Sequence, residues 1–223
     1  KFGISFTLTH LNQAGALVHV YMDGSIYLNH GGTEMGQGLF VKMAQVAAKS
    51  FGVDLSKIKI SATDTSKIPN TSATAASSGS DLNGMATKIA CEKIINRIKS
   101  ALSNQYGVKE AEIRFENNKI YLDDKIIKFS EGVKFAYENR ISLSATGYYA
   151  TPEISWNRET GKGRPFFYFA YGAAITEVAV DTLTGEMSLI RADILHDCGR
   201  SLNVAIDLGQ IEGGYAQGVG WLT

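Results

Sequence analysis

Ala14-Gly15-Ala16-Leu17-Val18-His19-Val20-Tyr21 alternates, Asp23-Gly24-Ser25 makes a tight-turn signal, and Ile26-Tyr27-Leu28-Asn29-His30 resumes extended character. Period-two patterning on either side of an Asp-Gly turn predicts a β-hairpin. The chain then runs through Gly31-Gly32-Thr33-Glu34-Met35-Gly36-Gln37-Gly38 into Leu39–Phe51. There Leu39, Met43, Val46 and Ala47 keep helical spacing, and Gly52 supplies a C-terminal stop. The first quarter of the chain is thus a hairpin that feeds a helix through a glycine loop.

Downstream, Lys57–Thr63 alternates as a strand, and the polar stretch Asp64–Ser80 is rich in Ser, Thr, Ala and Gly. A long helix is predicted over about Asp81–Leu102, with Ile89, Ile94, Ile95 and Ile98 on its apolar side. Residues 108–129 predict two or three short strands, 130–139 a short helix, and 140–165 a turn-rich segment. Phe166–Val180 and Glu186–Leu195 predict two long strands around the turn Asp181-Thr182-Leu183-Thr184-Gly185. Ile206–Gly220, with glycine at 209, 213, 214, 218 and 220, predicts a helix with small residues on one side, a usual sign of close packing. Strands and helices mix without a strand–helix–strand repeat. The expected fold is therefore α+β, with mixed sheets and packed helices. One domain over residues 1–223, or two lobes at about 1–140 and 141–223, is the expected organisation.

Composition narrows the function classes. Lys plus Arg and Asp plus Glu are both 22, so the net charge is zero. That argues against nucleic-acid and membrane-surface partners, whose recognition needs a basic excess. No run reaches the roughly 18 apolar residues of a membrane helix. The two cysteines, Cys91 and Cys198, form no CxxC pair, so no zinc or iron–sulfur site is expected, and both are read as reduced. The N-terminus lacks a signal-peptide layout, which points to a cytoplasmic location. The missing initiator Met and the stop just after a glycine-rich run read as cuts through a longer protein.

Four segments have the residue types for ligand chemistry. Gly36-Gln37-Gly38 lets backbone approach a ligand, offers a neutral amide, and precedes a helix whose free N–H groups suit an acidic group; a plain strand-to-helix turn is the alternative. Thr71-Ser72-Ala73-Thr74-Ala75-Ala76-Ser77-Ser78-Gly79-Ser80 is a hydroxyl-lined cradle ahead of a helix, a flexible Ser-rich linker, or a helix N-terminus with several possible caps. Gln210, Glu212 and Gln217 lie in the glycine-rich end, where packing is the alternative. Phe6-Thr7 pairs an aromatic face with a hydroxyl, although a strand Phe usually serves the core. The four histidines show no metal-ligand spacing, and His196-Asp197 lacks an accompanying nucleophile motif.

Several runs together resemble the xanthine dehydrogenase family of molybdenum hydroxylases. They are Lys1–Thr7, Leu11–Tyr21, His30–Gly38, Pro69–Ser77, Ser201–Gly213 and Gln217-Gly218-Val219-Gly220, in family order along nearly the whole chain. The resemblance implies part of a molybdenum-cofactor-binding domain, with molybdopterin as the cofactor. It assigns cofactor contacts to Gly36, Gln37, Gly38, Thr74, Ala75, Ala76, Ser77, Ser78 and Gln217. It assigns substrate contacts to Phe6, Thr7, Ala75 and Ala76, and the Phe6-Thr7 pair points to purines such as hypoxanthine or xanthine. Where the family repeats a serine after Ser77, this chain has Gly79 between Ser78 and Ser80, so any of the three hydroxyls is open as the phosphate contact.

The implied reaction hydroxylates a carbon beside a ring nitrogen with water as the oxygen source, and a glutamate acts as general base. That glutamate is expected beyond the C-terminus, so no catalytic residue and no metal ligand is assigned here, and the isolated chain is expected to be inactive and nearly cofactor-free. Expected partners are the rest of the molybdenum domain and iron–sulfur and FAD modules. A related enzyme acting on aldehydes, nicotinate or another N-heterocycle is the alternative. A non-catalytic cofactor-groove or assembly module is another, of a different class.

Overall fold

In the computed structural model, which describes residues 8–67, 71–75 and 77–222, the chain divides after Pro165 into two units. Phe6, Thr7 and Ala76 lie outside the described residues. The first unit runs β1 (Gln13–Val20), β2 (Ile26–His30), α1 (Leu39–Phe51), β3 (Ile58–Ile60) and α2 (Gly79–Tyr106). It continues with β4 (Arg114–Glu116), β5 (Lys119–Leu122), β6 (Lys125–Lys128), α3 (Phe129–Glu138), β7 (Ser144–Ala150), β8 (Ser155–Asn157) and β9 (Lys162–Arg164). The second unit holds β10 (Tyr171–Val180), β11 (Met187–Asp197) and α4 (Val204–Gly220). The fold is α+β, with mixed sheets.

The expected hairpin forms. β1 and β2 pair antiparallel from Ala16↔His30 to Val20↔Ile26, and the Asp23 carboxylate closes the turn by accepting the Ser25 N–H at 2.9 Å. β2 takes β3 on its other edge in parallel, and β1 takes β7 antiparallel, so the sheet order is β3-β2-β1-β7. A strand in the middle of a sheet loses water on both faces, which is why Ile26, Leu28, Asn29 and His30 are all buried. The strand expected over Lys57–Thr63 is shorter than its alternation suggested, because only Ile58–Ile60 finds a partner on β2.

Two helices form the other half of the core. Leu39, Met43, Ala47 and Phe51 of α1 and Leu82, Ala86, Ala90, Ile94, Ile98 and Leu102 of α2 join the β1–β2 apolar residues in one cluster. Each fully buried Ile or Leu here stabilises the fold by roughly 1.5–3 kcal/mol. α1 stops where Gly52 turns left-handed at φ 61, and a Cβ there would sit 2.3 Å from the Phe115 backbone.

The turn-rich expectation for 140–165 is corrected by β7, which pairs with β1 from His19↔Ser144 to Gln13↔Ala150. Ser144-Ala145-Thr146-Gly147-Tyr148-Tyr149-Ala150 carries little β-branched signal because it packs on α2 through its smallest residue. A Cβ at Gly147 would lie 1.9 Å from the Ala86 carbonyl oxygen. The small side chains here mark close approach rather than a turn.

The second unit is a hairpin followed by a helix. Asp181 organises its turn by accepting the N–H groups of Leu183 at 2.7 Å and Thr184 at 3.1 Å, while Gly185 donates to the Asp181 carbonyl. These bonds hold the Asp181 carboxyl below its usual range. α4 begins at Asn203, whose side-chain oxygen accepts the Ile206 N–H at 3.1 Å. Among the described residues, no helix is long and apolar enough to cross a membrane.

Candidate functional site

The segment Gly31–Gly38 joins β2 to α1, and its own side chains hold most of it in shape. His30, 1% exposed at the end of β2, accepts the Gly32 N–H through Nδ1 at 3.1 Å. Burial, which outweighs the opposing pull of the Glu34 carboxylate, pushes its imidazole down to about 4. The ring is therefore neutral with its proton on Nε2, and that atom is buried without a hydrogen-bond partner among the described residues. The Phe40 ring packs edge-on against it at 5.1 Å. Thr63 Oγ1 donates to the Gly32 carbonyl at 3.0 Å, which fixes the loop from the strand side.

Glu34 organises the far end of the loop. Its Oε1 accepts N–H groups from Gly36 at 2.9 Å and Gly38 at 3.0 Å, and its Oε2 accepts the Phe40 N–H at 2.9 Å. Partial desolvation opposes ionisation of Glu34, but the N–H groups of Phe40, Gly38, Gly36 and Leu39 outweigh it and hold the carboxyl below its usual range. The expectation that α1 offers its free N–H groups to an acidic ligand is thus corrected in part, since a carboxylate of the chain already takes the cap N–H of Gly38 and the first-turn N–H of Phe40. Gly36 and Gly38 take φ +98 and +74, conformations that side chains rarely adopt.

Gln37, half-buried, is bound inside this loop. Its Oε1 accepts the Met35 N–H at 2.6 Å and its Nε2 donates to the Thr33 carbonyl at 2.8 Å. An amide has two hydrogens on nitrogen and two lone pairs on oxygen, so these two bonds leave one donor and one acceptor position for a ligand.

The structure brings the second segment against this loop. Thr33 donates its N–H to Thr74 Oγ1 at 2.8 Å, and a Cβ at Gly31 would lie 2.3 Å from the Thr71 side chain. Thr71 Oγ1 also accepts the Gly15 N–H at 3.1 Å, and Ser72 donates its N–H to the Gln13 carbonyl at 3.2 Å. These bonds make 71–75 an anchored segment and displace the Ser-rich linker alternative. Ala75 and Ser77 are exposed, Ser77 with φ 55, and Ser78 Oγ donates to the Ala75 carbonyl at 3.0 Å. Ser78 forms no side-chain cap on α2, and Ser80 lies in that helix's first turn. A Cβ at Gly79 would meet Leu39 at 3.4 Å and Thr74 at 3.7 Å, so the first residues of α1 and α2 are neighbours.

Other expected residues behave differently. Gln217 lies on α4 in the second unit and is exposed. Within the second unit, the glycine stripe of α4 does not mark packing, because no heavy atom of that unit beyond the helix's own nearby backbone lies within 4 Å of a Cβ built at Gly209, Gly213, Gly214, Gly218 or Gly220. A 3.1 Å hydroxyl contact between Tyr215 and Thr176 links α4 to its hairpin. His196 and Asp197 are consecutive on β11 and leave on opposite faces, and Asp197 accepts the Gly199 N–H at 2.8 Å. Cys91, buried, and Cys198, exposed, are both free, and burial pushes the Cys91 thiol up to about 12. Among the described residues, no three His, Cys, Asp or Glu side chains gather as a metal site.

Sequence reasoning gives no part to Glu34 or His30 and no cross-link to Thr71. An acidic residue four positions ahead of the Gly38 cap was the available signal for Glu34. Nothing in the local pattern marks His30 as buried or Thr71 as a cross-link.

Residues 1–223 match the molybdopterin cofactor-binding domain family. The chain is 52% identical over 223 residues to the xanthine dehydrogenase/oxidase of Gallus gallus, covering 100% of this chain and 15% of that one. It is 50% identical over 221 residues to the xanthine dehydrogenase of Oryza sativa subsp. japonica, with 99% and 15% covered. Among solved structures, quinoline 2-oxidoreductase from Pseudomonas putida 86 superposes with a TM-score of 0.81 at 24% identity, covering 93% of this chain and 26% of that chain, a likeness of fold. The chain thus spans about 15% of the length of the curated relatives it matches. A match along every residue, on a fold that carries a tied glycine loop beside a second anchored segment, establishes that the chain belongs to the molybdopterin cofactor-binding domain family.

Proposed function

We propose that this chain forms one wall of the molybdopterin groove in a xanthine dehydrogenase-type hydroxylase acting on purines, in a protein that also carries iron–sulfur and FAD modules in the cytoplasm. The observation that carries the reading is the 2.8 Å bond between Thr33 N–H and Thr74 Oγ1, which joins the Gln37 loop to the hydroxyl segment.

The residues fit such a cofactor. No atom lies within 4 Å of a Cβ at Gly36, which leaves its backbone open to close approach. Gln37 keeps one donor and one acceptor position for a hydrogen-bonding pterin, Ala75 and Ser77 add small exposed surfaces, and the α2 cap residue Ser78 makes no side-chain cap. When bound, molybdopterin supplies the redox-active molybdenum centre. The chain's own contribution is orientation: Gln37 hydrogen-bonds the ring system, and the Ser77, Ser78 or Ser80 hydroxyl meets the phosphate beside the α2 N–H groups. Gln217 joins the same pterin contacts, Phe6 stacks on the purine, Thr7 hydrogen-bonds it, and Ala75 and Ala76 leave it room.

The general base comes from residues outside 1–223. The Glu34 carboxylate, within the loop itself, is committed to three backbone N–H groups, which supports that assignment. On this reading residues 1–223 alone turn over no purine. The test is xanthine hydroxylation by the full-length protein, with oxygen incorporated from labelled water. Turnover of aldehydes or nicotinate in place of purines would reassign the substrate, and full cofactor loading without any hydroxylation would leave only the groove.

A further inference from the structure

Two helices begin side by side in the first unit, and they are finished differently. α1 starts at Leu39 and α2 at Gly79, and a Cβ on Gly79 would touch the Leu39 side chain at 3.4 Å. A helix N-terminus carries partial positive charge and unpaired N–H groups, so either end attracts an anion. At α1 the cap residue is Gly38, which has no side chain to give, and the carboxylate of Glu34 reaches over from the loop in its place. Glu34 accepts from Gly36, Gly38 and Phe40 at 2.9–3.0 Å, so it caps the helix and closes the glycine turn together. At α2 the cap residue Ser78 spends its hydroxyl on the Ala75 carbonyl, and the first-turn carboxylate of Asp81 accepts the N–H of the adjacent Leu82 at 2.8 Å rather than reaching back over the cap.

We propose that Glu34 is the positioning residue of the Gln37 loop and serves as a built-in anion at the start of α1. It acts through Gln37 in a definable way. The turn that Glu34 closes contains Gln37, whose amide can bridge Met35 N–H and Thr33 carbonyl only while that turn holds. Its charge also makes the start of α1 a poor place for an external anion. The assignment stands on the hydrogen bonds of the loop and does not depend on the cofactor-groove reading.

The test is local hydrogen exchange in the full-length protein, read on peptides covering residues 34–43. Glu34→Ala removes the carboxylate and opens a space of its size, and exchange at Gly36–Phe40 is expected to speed up by about tenfold. Acetate should then restore protection in Glu34→Ala, whereas chloride at equal ionic strength should not. Sulfate should leave wild-type protection there unchanged. Glu34→Gln keeps the volume but turns an NH2 group on one of the donated N–H groups. It should lose protection and show no response to acetate, because it leaves no space. If Glu34→Ala does not fold, Glu34→Gln still decides: wild-type protection in that variant would reduce Glu34 to packing and overturn the proposal. Failure of acetate to distinguish Glu34→Ala from wild type, or sulfate protection of wild-type α1, would overturn it too. A full-length protein that hydroxylates no purine would sink the function proposed above and leave these exchange results untouched.

Discussion

Thr33 donates its backbone N–H to the hydroxyl of Thr74 at 2.8 Å, which links two loops 41 residues apart in the chain. Each loop lies just ahead of a helix, and the bond sets their spacing. It also gives Thr74 a part that neither its neighbours nor its exposure announces.

That bond can be tested by shape-conserving replacement. Thr74→Val keeps the volume and removes the acceptor, leaving the Thr33 N–H to water. The expected cost is about 1 kcal/mol in urea denaturation, together with a fall in molybdopterin content of the full-length protein. Thr74→Ser should recover both. If Thr74→Val retained cofactor and stability, the two segments would be held by packing at Gly31 and Thr71 instead.

His30 predicts a pH dependence. Its folded value is depressed to about 4 against an ordinary 6.5, so between these the unfolded chain binds the extra proton. Stability is then full above 6.5 and falls as pH drops toward 4. The slope is on the order of 1.4 kcal/mol per pH unit at most. Glu34, with its carboxyl lowered from 4.5, adds its own loss only below that value, so the window from 4.5 to 6.5 reports on the histidine. His30→Gln should flatten this window in denaturant titrations run at several pH values. An unchanged slope would mean that the proton goes elsewhere.

Two glycines should respond in opposite directions to alanine. Gly147→Ala drives a methyl to 1.9 Å from the Ala86 carbonyl oxygen, a backbone atom that cannot step aside. A loss of about 3 kcal/mol or more is expected, with β7 pulling away from α2. Gly209→Ala meets nothing within 4 Å in the middle of α4. It should protect the α4 amides from hydrogen exchange, in keeping with a gain of roughly 0.5–1 kcal/mol from reduced chain freedom. Equal effects at the two sites would contradict the packing described.

Gln37→Ala removes an amide that both braces the loop and has two hydrogen-bonding positions to spare. In the full-length protein, molybdopterin content should fall several-fold, while the unfolding midpoint shifts only slightly because Glu34 still closes the turn. Gln37→Glu should lose cofactor as well, since a carboxylate has no hydrogen to donate to Thr33 or to a pterin. Cofactor content equal to wild type in both variants would remove Gln37 from the proposed contacts.

Local rules reach a definite distance into this protein. The Asp23-Gly24-Ser25 turn, the α1 stop at Gly52 and the hairpin around Asp181 were legible because their hydrogen bonds run between residues only a few positions apart. The Gln37 loop and the Thr71–Ser80 stretch also stood out as polar, small-residue segments ahead of helices. Their juxtaposition did not, because the Thr33–Thr74 bond depends on where β2 and α2 carry each loop. The same holds for β7, whose glycine makes sense only against the Ala86 carbonyl, and for His30, whose neutrality comes from burial in a central strand. Glu34 shows the boundary most clearly: its charge near a helix start is visible in one dimension, but its occupation of that start requires the folded turn. Side-chain period is set by neighbours along the chain, whereas the partner of a polar group is set by packing, and in this domain packing decides which N–H groups remain for a ligand.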